Sequence, residues 1–461
     1  MFKLRTSVAV LMTAGLLLGC AVSTPPAQHE LLSLALGKTQ VPANWKHEQT
    51  AGQFDAAALG FTPDNALKAL IAESQQYNAD LRIARARIGQ SRAALKATGG
   101  AMLPSLAIGA QAGDSALPTS SMSTTGVGLV ASWEVDIWGR LGSESAASDA
   151  RLQASELDAL YIQQTIAAAV TRAWIATTEA TQQLALSRQM LQLAEKQLQL
   201  IKSAQKIGRN TAQDVALNEA NVAAYRNLVA SNEQFVNQAQ RALEVLLGRY
   251  PAAEVTAASQ FPQAAMTLPA GIPSELMTRR PDVLAAEQRF RAAFQDVEAA
   301  KRARLPSLKL TGGVAYIEDS VVVLDPSLSN PLWALTGQLL APIFTGGQLE
   351  ARVEAQSAKQ EEAIAQYTKT AINAFNEVEN ALAAERSLLQ RQKALETQTA
   401  QLSKSVEFAR VQQKVGKGDM YQLLQQQLSL SATQANLLRL QSERLSNRIN
   451  LHQALGGHFP S

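Results

Sequence analysis

The chain has one cysteine in 461 residues, Cys20, which excludes an internal disulfide framework. Aromatic residues are only 5% of the total, which suits a solvated, thin-cored helical assembly better than a large packed core. Lys and Arg number 42 against 39 Asp and Glu, and Lys3 and Arg5 belong to an N-terminal leader. A mature chain so close to neutral has no electrostatic footprint for nucleic acid. Beyond the N-terminus no apolar run approaches the roughly 18 residues of a membrane helix. The four histidines, His29, His47, His452 and His458, lack the spacing of a metal site or a triad. No glycine loop is built to cradle phosphate, so the chain does not power transport itself. Gly113-Asp114-Ser115-Ala116-Leu117 has the outline of a lipase motif, but it falls in a predicted loop with no supporting histidine. The sequence therefore reads as no enzyme, with no metal and no cofactor.

Glycine and proline are missing from residues 349–415, which are dense in Ala, Gln, Leu, Glu and Lys. That stretch reads as one long helix, broken only at Gly416-Lys417-Gly418-Asp419. A second such run, 419–455, then goes back the way the first came. At about 1.5 Å per residue the longer arm would reach on the order of 100 Å, beyond what a globular core requires. The arrangement occurs twice. A shift of about 208 positions lays Gly139-Arg140-Leu141 on Gly347-Gln348-Leu349, Gln205-Lys206-Ile207-Gly208 on Gln413-Lys414-Val415-Gly416, and Leu247-Gly248 on Leu455-Gly456. With a slightly different offset Leu103-Pro104-Ser105-Leu106 falls on Leu305-Pro306-Ser307-Leu308. The chain is an internal duplication of one long unit.

Residues 1–19 read as a signal peptide: Lys3 and Arg5 are its positive end, and a short apolar core follows. It ends in Leu17-Leu18-Gly19-Cys20, which looks like a bacterial lipobox and implies cleavage before Cys20 and lipidation of that residue. Ala21 after the cysteine looks like outer-membrane sorting. Residues 20–61 read as an extended, mostly irregular lead-in, and 62–249 as the first repeat, opened by Thr62 as N-cap with Pro63 at the first helical position. A linker at 250–272 separates it from the second repeat at 273–456, and 457–461 is a tail. The long hairpins are placed at about 141–248 and 349–455. In the last arm Leu424, Leu428, Ala435, Leu438, Leu445 and Ile449 form a narrow seam, with Ser431 and Ser442 in its gaps.

Four stretches alternate with a period of two, the strand signature: about 104–114, 125–136, 306–318 and 331–342. They form two hairpins, with Ser-, Thr- and Pro-rich loops expected around 114–125 and 319–331. A small sheet covering helices is the plainer reading. An outer-membrane address instead makes such strands barrel staves. Four staves cannot stand alone in lipid, where open edges stay unsatisfied. Two copies would give eight strands and a filled interior; three would give twelve and a lumen, so a conduit favours a trimer.

Lipobox, strand hairpins, giant helical hairpins and glycine turns together resemble the TolC/OprM-like outer-membrane factors of tripartite efflux pumps, closest to the lipid-anchored branch serving resistance-nodulation-division pumps. The local marks are AKRARLPSL at 300–308, TRRPDV at 278–283, PIFTGG at 342–347 and WEVDIWGR at 133–140. The resemblance implies a mainly α fold with β content: an α-barrel of long hairpins and four strands per protomer in a twelve-stranded trimeric transmembrane β-barrel. It implies a homotrimer in the outer membrane, reaching into the periplasm, with 250–272 in an equatorial region. The implied partners are a periplasmic adaptor and an inner-membrane resistance-nodulation-division pump. Gly208, Arg209, Asn210, Thr211, Gly416, Lys417, Gly418 and Asp419 would form the periplasmic tips that meet the adaptor. The family's best-known member carries a pair of aspartates after the second turn; the matching residues here are Gln422 and Gln425, while Asp214 keeps an acid in the first repeat. These three are the expected gate positions, and the glutamines put a cation-binding acidic ring in doubt. A type I secretion channel and a periplasmic coiled-coil adaptor are the other readings.

Overall fold

The computed structural model describes residues 25–36, 45–46, 65–117, 120–256, 258, 260–262, 273–319, 332–418 and 420–457. Cys20, the leader, Thr62, Pro63, the 319–331 loop, most of the 250–272 linker, Asp419 and His458 therefore lie largely or wholly outside them. The helices are α1 (Gln28–Leu36), α2 (Asn65–Tyr77), α3 (Ala79–Gly100), α4 (Arg140–Lys206), α5 (Ala212–Leu247), α6 (Pro273–Arg279), α7 (Pro281–Arg302), α8 (Gln348–Lys414) and α9 (Met420–Ala454). The strands are β1 (Ser105–Leu117), β2 (Ser120–Val135), β3 (Ser307–Asp319) and β4 (Leu332–Leu340). Among the described residues no helix is long and apolar enough to cross a membrane.

The chain divides into two compact units. The first comprises Met1–Thr39, Ala86–Leu157 and Leu284–Thr370; the second comprises Gln40–Arg85, Asp158–Val283 and Ala371–Ser461.

The first unit holds a four-stranded antiparallel sheet in the order β1-β2-β3-β4. Its register lines up one apolar face: Ile108 sits beside Leu129, Leu129 beside Val314, and Val314 beside Trp333. The neighbouring rows run Leu106, Ala131, Gly312, Leu335 and then Val135, Leu308, Leu339. The opposite face carries Ser105, Ser132, Thr311 and Thr336 in one row and Glu134, Lys309 and Gln338 in another. Leu106, Ile108, Trp333, Leu335 and Leu339 are all exposed, Trp333 at 78%. A contiguous apolar face of this extent is the signature of a surface meant for lipid or another protein.

One expectation about this unit is corrected. Residues 114–117 and 120–125, expected in a loop, are strand: β1 and β2 stay paired as far as Leu117 opposite Ser120. Their Ser and Thr residues continue a ladder whose register the apolar rows have already fixed. The lipase-like Gly113-Asp114-Ser115 is thus strand backbone, paired with Thr124, Ser123 and Met122. The lead-in, expected to be mostly irregular, contains α1. Glu30 accepts from the Ala27 amide (3.0 Å) in the first turn, Leu31 and Leu36 are buried, and the Ala35 carbonyl accepts from the Thr368 hydroxyl (3.0 Å). Three short apolar turns gave too little periodicity to stand out.

The motif WEVDIWGR makes the passage from β2 into α4. Asp136 accepts from the amides of Leu141 (3.1 Å) and Gly142 (2.7 Å), satisfying donors at the helix start. Arg140 bridges Glu134 (2.6 Å) and Glu144 (2.8 Å). Trp138 donates its indole N–H to the Pro306 carbonyl (2.7 Å), and Arg302 donates to the Gly139 carbonyl (2.9 Å). The AKRARLPSL segment of the second repeat is thereby tied to WEVDIWGR of the first.

The second unit has its core between α2, α4, α5 and α9, where Leu67, Ile71, Trp174, Ile175, Leu243, Leu247, Leu445 and Ile449 are buried together. In TRRPDV, the buried Arg280 donates to Asp282 (2.7 and 3.0 Å), Glu377 (2.6 Å) and the Ala454 carbonyl (3.1 Å). Burial disfavours its charge, but the two carboxylates outweigh that and raise its pKa above the ordinary arginine value. After α5, Gly248 ends the helix in the left-handed region. The chain then wraps Glu244, whose carboxylate accepts the amides of Ala253, Glu254 and Val255. Ala253 is held at φ +64° there, a conformation uncommon without glycine. Burial opposes ionisation of Glu244, yet the three amide donors keep its carboxyl below the usual range.

Candidate functional site

The residues expected to form the tips lie in two turns of the second unit. In the first, α4 ends at Lys206 and Gly208 adopts φ +73°. The Gly208 amide donates to Gln205 and the Arg209 amide to Ala204, both at 2.9 Å, closing the last orphan carbonyls. Thr211 then caps α5: its hydroxyl accepts from the Asp214 amide (3.2 Å), and Asp214 accepts from the Thr211 amide (2.8 Å), a complete capping box. The Thr211 hydroxyl (2.9 Å) and the Asn210 amide (3.5 Å) add to the same carboxylate oxygen. These bonds, the Thr211 backbone amide first, hold Asp214 below the ordinary carboxylate range. Arg209 is exposed beside them. The expected gate acid thus has a structural duty of its own.

The second turn uses different parts. Gly416 sits at φ +71°, and the amides of Lys417 (2.9 Å) and Gly418 (3.1 Å) both donate to the Gln412 carbonyl. A Cβ on Gly418 would lie 2.8 Å from the Gln413 amide nitrogen and 3.0 Å from the Gln412 carbonyl carbon, so only glycine fits. Gln413 reaches Met420 Sδ (3.1 Å) across the turn, and Val406, Ala409 and Leu423 pack behind it with Met420 and Leu430. Gln422 and Gln425 are both exposed, three residues apart near the start of α9. Asp419, also assigned to this turn, lies outside the described residues.

The hairpin arms differ too. Arg188–Glu233 (2.8 Å), Arg226–Glu195 (2.8 Å) and Lys202–Glu219 (2.6 Å) link α4 and α5 through exposed pairs, each worth at most about 1 kcal/mol. Between α8 and α9, Glu385 instead meets two buried arginines, Arg444 and Arg448. The sequence reading left this cluster out; its one available signal was the four-residue spacing of Arg444, Arg448 and His452 beside the Leu445–Ile449 seam. Of the seam residues, Leu424, Ser431, Ser442, Leu445 and Ile449 are buried, and Leu428, Ala435 and Leu438 are half-buried. Among the described residues no group of His, Cys, Asp and Glu could hold a metal ion.

Duplicated helical hairpins, together with a sheet whose apolar face runs unbroken across four strands, define a channel-forming protein of the outer membrane. Residues 70–249 and 272–457 match the family described as "Outer membrane efflux protein", and the chain belongs to that family. It is 30% identical over 465 residues to the pyoverdine export outer membrane protein OpmQ of Pseudomonas putida, covering 96% of this chain and 95% of OpmQ. It is 32% identical to the outer membrane protein OprJ of Pseudomonas aeruginosa, over 70% of this chain and 68% of OprJ. The open-state MtrE outer membrane channel of Neisseria gonorrhoeae superposes with a TM-score of 0.81 at 27% identity, covering 91% of this chain and 96% of that one. The protein is thus an outer-membrane efflux channel of the TolC-like fold, and its family consists of channels.

Proposed function

We propose that this chain is the exit duct of a tripartite pump, passively conducting small compounds delivered by an inner-membrane pump and a periplasmic adaptor. The observation that carries the reading is the sheet: one face apolar in register, the other lined by Ser, Thr, Gly, Glu and Lys, and two edge strands, β1 and β4, with one neighbour each. In lipid those edges must be paired, and three copies supply a twelve-stranded closure wide enough for a lumen. The polar face then lines the conduit and the apolar face meets acyl chains. The channel performs no chemistry of its own and takes no cofactor beyond the covalent lipid on Cys20.

The two turns, Gly208–Thr211 and Gly416–Asp419, are the adaptor-facing tips, and Asp214, Gln422 and Gln425 sit at the constriction. With glutamines at two of those positions the ring is weakly charged, and closure does not depend on cations. OpmQ exports pyoverdine by name, and a small organic cargo of that kind fits a lumen lined by hydroxyl and amide groups. Selectivity then rests with the inner-membrane pump.

Planar-bilayer recordings and a heated-versus-unheated gel shift test the duct: conductance with a heat-labile oligomer of three is expected, and a non-conducting monomer would sink it. Cys20→Ser should abolish palmitate labelling. Cysteine probes at Gln422 and Gln425 should crosslink between copies; silence at both would remove them from the constriction.

A further inference from the structure

The interior of the second hairpin carries an uncompensated positive charge. Arg444 and Arg448 are 7% and 1% exposed, and among the described residues the only acid they meet is Glu385, itself 7% exposed. Four guanidinium nitrogens converge on one of its oxygens, Oε1: Arg444 Nε (3.0 Å) and Nη2 (2.9 Å), and Arg448 Nε (3.0 Å) and Nη2 (2.8 Å). Glu385 Oε2 and Arg448 Nη1 are buried with no hydrogen-bond partner among the described residues. Two cations against one anion leave a net charge of about +1 in a largely buried cluster, where an unpaired charge is costly. Lengthening the list of donors on Oε1 does not cure that, because the deficit is one of negative charge.

Arg444 belongs both to this cluster and to an open cleft of about 450 Å³ in the same unit. Its Nη1 donates to Gln392 Oε1 (2.9 Å), and Gln392 lines the cleft with Gln260, Gln441, Phe261 and Leu445. The wall therefore offers one guanidinium with N–H groups to spare, several amides, and an apolar side. A guanidinium fork matches a carboxylate better than it matches a spherical ion, and the cleft volume exceeds what a bare ion fills. We propose that this cleft binds a small organic monocarboxylate, whose charge offsets the excess and whose apolar body lies against Phe261 and Leu445. The site is separate from the tips and from the sheet, and it stands whether or not the duct assignment does.

The test uses the full-length protein in detergent with 4-fluorobenzoate as the probe, followed by fluorine NMR. Saturable binding displaced by benzoate is expected, with the neutral 4-fluorobenzamide at least tenfold weaker. Arg444→Gln should weaken 4-fluorobenzoate tenfold or more. Glu385→Gln, which removes the single counter-charge, should tighten it severalfold. Should Arg444→Gln fail to fold, Gln392→Leu, which removes a lining amide and the partner of Arg444 Nη1, replaces it with an expected loss of threefold or more. Absence of saturable binding, equal binding of the amide, or unchanged binding in Glu385→Gln and in the folded lining variant would overturn the proposal. Equal displacement by chloride would reduce the cleft to an unselective ion site and overturn the carboxylate assignment. Binding only to dissociated protomers would mean that a second copy fills the cleft, and would overturn it equally.

Discussion

The two hairpin turns descend from one unit and keep its glycine, Gly208 in the first and Gly416 in the second, at nearly the same positive φ. They differ in what holds the returning helix. In the first, a threonine and an aspartate exchange hydrogen bonds across the start of α5. In the second, the backbone after Gly416 folds so tightly onto the end of α8 that Gly418 admits no side chain, and an apolar cluster with Met420 closes the gap. At the common offset Gln422 matches Asp214 and Asp419 matches Thr211. The position read as a gate by family comparison is therefore, in the first repeat, the N3 member of a capping box. What varies there between the repeats is first of all how a helix is started.

The largest expected effect breaks the second turn alone. Gly418→Val drives a branched side chain into the Gln412–Gln413 backbone and should cost about 3 kcal/mol locally. Hydrogen exchange at the end of α8 and the start of α9 would show it, with α5 unaffected. Next come Gly208→Ala and Gly416→Ala, where the space is open and only the left-handed φ is penalised; each should cost about 1 to 2 kcal/mol, and unequal values would mean that the turns do not share this feature. Thr211→Ala should cost about 1 kcal/mol in α5 only. Paired with Asp214→Ala it should be less than additive, because both remove one box. The smallest effect is on pH. Asp214 has a depressed folded-state pKa, so its contribution is present above the ordinary carboxylate range and is lost as pH falls through the depressed value. Protection of the first α5 amides should decline in acid, and Asp214→Asn should remove that step.

Much of the fold was legible because long stretches without glycine or proline, and strict alternation, have few alternative readings. α4 and α8 begin and end within a residue or two of the glycine marks, and the apolar rows of the sheet follow the alternation first seen at Ile108, Leu129 and Val314. The β1–β2 ladder ran past its apolar rows because register, once set, carries small polar residues with it. The Glu385 cluster escaped notice for a different reason. Arginine is ordinarily a surface residue, and its compensating carboxylate stands 59 residues away on the antiparallel helix. Nothing local distinguishes such an arginine from a solvated one. The capping role of Asp214 was readable from Thr211 three residues earlier, but the family's gate claimed the residue first.

The sheet has a consequence for biogenesis. β1 and β4 each have a single neighbour, so a newly made copy has two ribbons of unpaired amides and carbonyls bordering a greasy face. Such a copy cannot enter a bilayer on its own at acceptable cost, and in water it is an invitation to clump. With the proposed three-copy closure, entry into the membrane and meeting its siblings become the same event, with a rate that climbs steeply with supply. A cell making too little of this protein would lose working pores faster than it loses protein.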